Sequence, residues 1–232
     1  MTLTWVEDAK RKAVLKAIQP IKNGWIIGLG SGSTAALAAA EISTLVRSRG
    51  FELSIVATSH QIENLAISHG LRIRTMNEVH RVDYAIDGAD QVELPSLHLI
   101  KGGGGAILRE KIVDSTAAKL AIVVDERKLT KYLGEKQPIP LEVLPFSYKT
   151  VQVRITNMGG RARLRESTGK VGPVVTDNGN FILDADFGRI KNPSRLDRSL
   201  KILPGVLETG LFLKMADRVY VGRRDGKIDV FT

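Results

Sequence analysis

The chain has 232 residues, 43% of them hydrophobic and 25% charged, which is the composition of a globular protein with a substantial apolar core. It contains no cysteine, which excludes a disulfide framework, a thiol nucleophile and a thiolate metal site. No stretch approaches the roughly 20 apolar residues that a membrane-spanning helix needs, and the first residues lack the uninterrupted apolar run of a signal peptide. We therefore expect a cytoplasmic protein without a membrane partner.

The net charge of +9 comes from 34 basic and 25 acidic side chains. A nucleic-acid-binding module would group its basic side chains on one face with aromatic residues between them. Here the basic residues are scattered, and aromatic residues make up only 5%. The densest basic segment, Arg161-Ala-Arg163-Leu-Arg165, alternates like a strand, and we interpret it as a solvated sheet face. We expect no nucleic-acid partner; a basic field suits a small anionic substrate.

Short apolar runs alternate with helical patterns through the first part of the chain. The predicted strands cover residues 25–28, 53–58, 72–76, 82–86, 97–101 and 120–124, and the predicted helices 35–46, 61–68 and 106–119. Continuous apolar strands that alternate with helices are typical of a parallel sheet covered on both faces. The fold class predicted here is therefore α/β, with a doubly wound, mostly parallel, Rossmann-like sheet.

The pattern changes after residue 128. Pro138, Pro140 and Pro145 indicate a connection, and Asn178-Gly179 predicts a hairpin within 174–184. Helices are predicted at 151–158 and 193–202, and strands at 161–166, 207–212 and 218–222. We expect a smaller α+β domain over residues 134–205, inserted near the C-terminal end of a Rossmann-like domain that comprises residues 1–133 and 206–232.

The first candidate site is Gly28-Leu-Gly-Ser-Gly-Ser-Thr34, between a predicted strand and a predicted helix. Alternate glycines let backbone N–H groups approach an anion, and the positive end of the helix points to the same place. The segment is neither a dinucleotide fingerprint, because position 33 is serine, nor a Walker loop, because no Gly-Lys-Ser/Thr follows. It predicts a phosphate cradle; a tight turn with a capping hydroxyl is the alternative.

The second candidate site is Asp87-Gly-Ala-Asp90, at the end of a predicted strand. Two carboxylates at this spacing can face one pocket, and their repulsion would raise the pKa of one of them, as proton transfer requires. A capping turn and an oxygen-only magnesium site are the alternatives. The four histidines show no zinc-ligand spacing.

The third candidate site runs from Lys101 through four consecutive glycines to Glu110. Glycines at this density weaken regular structure and are typical of a backbone that a ligand approaches closely. Glu110 falls in the first turn of a predicted helix, where a carboxylate is also favoured by the helix dipole alone. A phosphate cradle, a carboxylate base and a lysine, without a nucleotide motif, favour proton transfer beside a carbonyl group.

Several segments, in order over nearly the whole chain, match one known family. They are Gly28–Ala35, Thr58-Ser59, Asp87–Asp90, Lys101–Lys111, Ile139–Val143, Gly172–Asn180, and Leu203–Val206 with Thr209–Phe212. Together they resemble the A-type ribose-5-phosphate isomerases. Many members carry Glu after the second Asp, where this chain has Gln91, and we expect little effect from that difference.

The resemblance implies interconversion of ribose 5-phosphate and ribulose 5-phosphate through a cis-enediol, without a metal or another cofactor, in a homodimer or homotetramer. It implies that Glu110 is the general base and that Lys101 stabilises the oxyanion. Asp87 and Asp90 would assist ring opening and hold substrate hydroxyls. The implied substrate- and phosphate-binding residues are Ser31, Gly32, Ser33, Thr34, Thr58, Ser59, Gly102, Gly103, Gly104, Lys128 and Lys10, the last without a motif to anchor it.

Two further functions remain as alternatives. A sugar-phosphate lactonase, deaminase or effector sensor on a related fold would keep a phosphate loop, but a sensor would not need Glu110, Asp87 and Lys101 together. A basic nucleic-acid-binding module would show strongly salt-dependent binding to any duplex.

Overall fold

The computed structural model describes residues 4–169 and 171–232. Its α-helices are α1 (Trp5–Ala17), α2 (Gly32–Arg49), α3 (His60–Ser68), α4 (Ile107–Thr116), α5 (Tyr148–Asn157) and α6 (Pro193–Lys201). Its strands are β1 (Ile26–Leu29), β2 (Ser54–Ala57), β3 (Arg72–Ile73), β4 (Tyr84–Asp87), β5 (Gln91–Glu93), β6 (His98–Ile100), β7 (Leu120–Asp125), β8 (Leu129–Thr130), β9 (Ile139–Val143), β10 (Arg161–Leu164), β11 (Phe181–Asp186), β12 (Val206–Thr209), β13 (Leu211–Phe212), β14 (Arg218–Gly222) and β15 (Ile228–Phe231).

The chain divides into two compact units. Unit 1 comprises the residues up to Ala89, Arg109–Leu129 and Met215–Thr232. Unit 2 comprises Asp90–Leu108 and Thr130–Lys214. The sequence-based boundaries of the two domains, 1–133 with 206–232 and 134–205, stay a prediction, because compactness does not establish which segments fold independently.

Unit 1 is built on a seven-stranded sheet in the order β15-β14-β7-β4-β1-β2-β3. Neighbouring strands are parallel except β15, which pairs antiparallel with β14. Its core contains fully buried Ile27 and Leu29 of β1 and small alanines of α1 and α2, which let these helices approach the sheet closely. The mostly parallel α/β sheet predicted from the apolar runs is therefore confirmed.

Helix α1 has no counterpart among the predicted elements, although its beginning is well specified. Thr4 and Glu7 form a capping box: the Thr4 side chain accepts a hydrogen bond from the Glu7 amide, and the Glu7 carboxylate accepts one from the Thr4 amide. Its buried face consists mainly of Ala9, Ala13 and Ala17, whose low hydrophobicity gives only a weak apolar stripe in the sequence.

Unit 2 contains a four-stranded antiparallel sheet in the order β10-β11-β9-β12. Helix α5 packs against β10 and β11, and α6 packs against β12. A second sheet has the order β13-β6-β5-β8. The hairpin predicted around Asn178-Gly179 is confirmed: the Thr176 amide donates to the Asn180 carbonyl, Gly179 has φ 78°, and Val175 bridges to Phe181.

The prediction of an irregular connection at Pro138–Pro145 is wrong for β9, which lies in the middle of its sheet. Ile139, Leu141 and Val143 of β9 are buried in the core of unit 2. Pro140 has no N–H to donate, but its carbonyl accepts a hydrogen bond from the Gly210 amide at 2.7 Å. Burial on both sides of the proline therefore outweighs its ordinary effect as a strand breaker.

Among residues 4–169 and 171–232, none of the helices combines the length and the apolar character that crossing a bilayer requires.

Candidate active site

The carboxyl ends of four adjacent parallel strands carry the candidate residues of unit 1. The strands lie in the order β7-β4-β1-β2, so the loops that follow them meet at one edge of the sheet. The end of α4 lies at the opposite edge, beside the start of β4, where the Val82 amide donates to the Thr116 carbonyl. The first turn of α4, which contains Glu110, therefore points toward the edge with the loops.

The glycine-rich loop after β1 is held by contacts with neighbouring segments of unit 1. The Gly30 amide donates to the Ile86 carbonyl at 3.0 Å. Ser31 is the N-cap residue of α2 but makes no capping hydrogen bond; its hydroxyl lies 2.7 Å from that of Thr58. The Gly32 amide donates to Gln61 Oε1 at 3.2 Å, and the φ of Gly32, 81°, favours glycine. These contacts disfavour the alternative in which Ser31 merely caps the helix.

Positive charge gathers beside this loop. Lys10 of α1 donates a hydrogen bond from Nζ to Ser33 Oγ at 3.2 Å. Burial lowers the pKa of Lys10, and the neighbouring cations Lys128 and Arg127 lower it further, against the opposing effect of Asp125. The structure thus brings Lys10 into contact with the loop that contains Ser33, and Lys128 is near enough to Lys10 to affect its pKa.

Asp125 balances this charge. It lies at the end of β7, fully buried, and accepts hydrogen bonds from the Arg127 side chain at 2.7 Å and the Arg127 amide at 3.1 Å. Burial alone would raise the pKa of Asp125, but the hydrogen bonds from Arg127 outweigh it and lower the pKa. The carboxylate therefore stays charged and compensates part of the local positive charge.

Two of the buried carboxylates of unit 1 are residues that the sequence predicts to be catalytic. Asp87 ends β4, is fully buried and accepts a hydrogen bond from the Gly88 amide at 2.6 Å. Glu110 is 5% exposed in the first turn of α4. A Cβ at Gly28 would lie 2.6 Å from Val113 Cγ1, so only glycine lets α4 pack this closely on β1. Glu110 precedes Val113 by three residues and shares its helix face.

Unit 2 holds the remaining candidates. Asp90 Oδ2 accepts a hydrogen bond from the Gly103 amide at 2.7 Å. Lys101 follows β6 and is 2% exposed, with Nζ 5.1 Å from the centre of the Phe212 ring. Gly102 has φ 103°, and a Cβ there would lie 1.9 Å from Ile107 Cγ2, so the chain can take this path only with glycine.

The other predicted residues differ in their surroundings. Ser59 is the N-cap of α3, its hydroxyl accepting a hydrogen bond from the Ile62 amide at 3.4 Å, which gives it a structural task. A Cβ at Gly104 would meet no atom within 4 Å. Within the part of the chain that the structure describes, no three His, Asp or Glu side chains are grouped so that they could hold a metal ion.

Comparison with known proteins gives a consistent result. Residues 54–226 match the family described as ribose 5-phosphate isomerase A (phosphoriboisomerase A). The chain is 46% identical over 219 residues to ribose-5-phosphate isomerase A of Methanothermobacter thermautotrophicus, covering 94% of this chain and 96% of that one. The chain belongs to the ribose-5-phosphate isomerase A family. The ribose-5-phosphate isomerase of Sus scrofa is 41% identical, with 99% of this chain and 76% of that one covered.

Solved structures of ribose-5-phosphate isomerases have the same fold. The enzyme of Methanocaldococcus jannaschii superimposes with a TM-score of 0.93 at 43% identity, covering 97% of this chain and 99% of that one. A D-ribose-5-phosphate isomerase in complex with phospho-erythronic acid gives a TM-score of 0.94 at 40% identity, covering 97% and 98%. Family and fold class, both predicted from the motifs and the strand pattern, are confirmed.

Three residues near the candidates of this ribose-5-phosphate isomerase A family member are absent from the predicted set of site residues. Gln61 accepts from the Gly32 amide, and Phe212 lies under Lys101. Gln91, where many members have Glu, is fully buried. Its amide donates to the Gln137 carbonyl at 3.2 Å and its carbonyl accepts from the Gly134 amide at 3.0 Å, a pair of roles that a carboxylate cannot fill.

Proposed function

We propose that this chain interconverts ribose 5-phosphate and ribulose 5-phosphate with Glu110 as the general base and the loop after β1 as the phosphate cradle. The observation that carries the proposal is the closeness of that loop to a buried carboxylate. A Cβ at Gly30 would lie 1.8 Å from Asp87 Oδ1, and this closeness supports a site that includes both the proposed cradle and an acid. The activity follows from membership of the family.

The proposed reaction moves one proton between neighbouring carbons. Asp87 and Asp90 assist opening of the sugar ring. Glu110 then removes the proton from C2 of the open aldose, and the C–H electrons form the C1=C2 bond of an enediolate whose oxyanion Lys101 stabilises. O1 gains a proton, O2 loses one, and Glu110 returns its proton to C1, which gives the ketose. No electrons are gained or lost, so the reaction needs no redox cofactor.

The phosphate would be bound by hydroxyls, backbone amides and lysines of unit 1. Ser33 and Thr34 lie in the first turn of α2, where the helix dipole favours an anion. Lys10, which contacts Ser33, and Lys128 would add basic side chains to this site. Because these groups hold a part of the substrate that does not react, they should contribute equally to ground-state and transition-state binding.

Replacing both Ser33 and Thr34 by alanine should raise KM at least about 100-fold with little change in kcat, because each of the two lost hydrogen bonds to a charged group is worth about 1.5–3 kcal/mol. Steady-state kinetics on ribose 5-phosphate measures both constants. The matched control replaces Thr44 and Ser48, exposed hydroxyls of the same helix, and should leave KM unchanged. An unchanged KM in the Ser33/Thr34 variant would argue against the cradle.

Isomerisation in heavy water with a chelator, followed by NMR, tests the reaction as a whole. We expect ribulose 5-phosphate with deuterium at C1, because a carboxylate base exchanges its proton with solvent before returning it. Loss of activity that a divalent ion restores would contradict the metal-independent mechanism. Folded protein that binds ribose 5-phosphate but gives no product would favour the sensor.

Phospho-erythronic acid, which combines a phosphate with a second anionic group, should inhibit competitively.

We also propose that the chain works in the cytoplasm as a homodimer or homotetramer and binds no nucleic acid. Sedimentation equilibrium would determine the assembly. A gel shift with duplex DNA at low and moderate salt tests the basic surface, and a shift that weakens steeply with salt would support the nucleic-acid-binding alternative.

A further inference from the structure

The glycine segment Gly102–Gly105 of unit 2 directly follows Lys101, and its Gly103 amide donates a hydrogen bond to Asp90. The segment has no side chains with which to hold its own conformation. Freezing the backbone of each residue costs about 1–2 kcal/mol, and glycine loses more freedom than any other residue. Contacts from elsewhere in the unit must therefore offset this cost if Lys101 and Asp90 are to be held in place.

One arginine makes such contacts. Arg165 Nη1 donates hydrogen bonds to the carbonyls of both Gly102 and Gly103, each at 2.9 Å. The amide of Gly103 in turn donates to Asp90 Oδ2 at 2.7 Å. Gly103 is thus held on both of its polar backbone groups, by Arg165 at its carbonyl and by Asp90 at its amide.

The guanidinium itself is fixed. Nε of Arg165 donates to Asp184 Oδ2 at 2.9 Å, and Nη2 donates to Asp184 Oδ1, which gives a two-pronged pair. The Arg165 side chain is 18% exposed and that of Asp184 23%. The Arg165 backbone is held as well, its amide donating to the Ile182 carbonyl and its carbonyl accepting from the Val174 amide.

Arg165 was interpreted from its alternation with Arg161 and Arg163 as part of a solvated sheet face. That interpretation holds for Arg161, which is 82% exposed and pairs with Asp186 at 2.9 Å. It is wrong for Arg165, which directly follows the last residue of β10 and donates a hydrogen bond to the Gly102 carbonyl. The two ion pairs are chemically alike, but Arg165 also donates to the carbonyls of the glycine segment.

We infer that Arg165, oriented by Asp184, is a positioning residue for the isomerisation: it fixes Gly102 and Gly103 so that Lys101 and Asp90 keep the geometry that the reaction needs. The inference rests on the proposed function for its kinetic consequence only. Its structural consequence, a more mobile glycine segment without Arg165, does not depend on any activity.

The kinetic test compares Arg165→Met, Arg165→Lys and Asp184→Asn with the matched control Arg161→Met. Arg165→Met should lower kcat about 100-fold, since displacements of about 1 Å have effects of this size. KM should change less than about threefold, because the proposed phosphate contacts are made by other residues. Arg165→Lys should retain more activity than Arg165→Met but less than wild type, because an ammonium lacks the planar fork. Arg161→Met should keep wild-type kinetics.

Hydrogen–deuterium exchange supplies the readout that needs no turnover. In Arg165→Met, the amides of residues 102–105 should exchange at least tenfold faster than in the wild type, while those of β9 keep their rates. Wild-type kcat in Arg165→Met, an equal loss in Arg161→Met, or unchanged exchange of the glycine segment would each overturn the inference. If Arg165→Met does not fold, Arg165→Lys and Asp184→Asn decide by the same two measurements. A wild-type protein without isomerase activity would refute the proposed function. The exchange rates of residues 102–105 would then still test whether Arg165 holds the glycine segment.

Discussion

Glu110→Gln is expected to lower kcat about 10²- to 10⁴-fold while the protein still binds ribose 5-phosphate. Glutamine has the shape of glutamate, so the first turn of α4 and its packing should be preserved. Its amide cannot accept a proton from carbon at neutral pH, and general base catalysis typically contributes a factor of this size.

The alternative interpretation of Glu110 predicts a different result. A carboxylate in the first turn of a helix interacts favourably with the helix dipole, and losing that interaction costs about 0.3–1 kcal/mol of stability. If this were its only task, Glu110→Gln would lower the melting temperature slightly and leave turnover intact. Its burial, with 5% of the residue exposed, argues for the catalytic role, because a dipole contact alone does not require removal from water.

The measurement combines kinetics with direct titration of ribose 5-phosphate by calorimetry. Glu63→Gln is the matched control, since Glu63 also lies in the first turn of a helix, α3, but has a side chain that is 39% exposed. The control should keep its kcat. Activity in Glu110→Gln within tenfold of the wild type would remove Glu110 from the role of base.

Much of the fold is predictable because local patterns and tertiary packing agree over most of unit 1. The strand β7 is a run of six buried residues, and the five apolar residues that begin it are typical of a sheet covered on both faces. Helix α1 and strand β9 escape prediction for opposite reasons. The buried face of α1 is made mainly of alanines, which give only a weak apolar stripe in the sequence. Pro140 in β9 predicts a break in the strand, but burial of its neighbours outweighs that effect.

The candidate site is predictable as a set of motifs, because loops at the carboxyl ends of parallel strands carry their chemistry in consecutive residues. What the sequence does not reveal are contacts between residues far apart in the chain. Lys10 contacts Ser33 from 23 residues away, and Arg165 contacts Gly103 from 62 residues away. Their positions depend on how α1 packs within unit 1 and on where β10 ends in unit 2, which no local pattern encodes.

Gly30→Ala should lower kcat at least 100-fold although the added group is a single methyl. A Cβ at Gly30 would lie 1.8 Å from Oδ1 and 1.9 Å from Cγ of Asp87, far inside van der Waals contact. Asp87 is fully buried, and displacing its carboxylate would break the hydrogen bond that Oδ1 accepts from the Gly88 amide. Overpacking of this kind typically costs about 1–3 kcal/mol of stability.

Gly30→Ala tests whether the proposed phosphate cradle and Asp87 belong to one site or act independently. Since Gly30 belongs to the proposed phosphate cradle and lies against Asp87, the proposed acid, Gly30→Ala should both lower kcat and raise KM, whereas Ser33→Ala with Thr34→Ala should raise KM alone. Gly169→Ala is the control, because its Cβ would meet no atom within 4 Å and should change neither constant. Wild-type kcat in a folded Gly30→Ala protein would show that Asp87 tolerates displacement, and the acid assigned to ring opening would then have to be sought elsewhere.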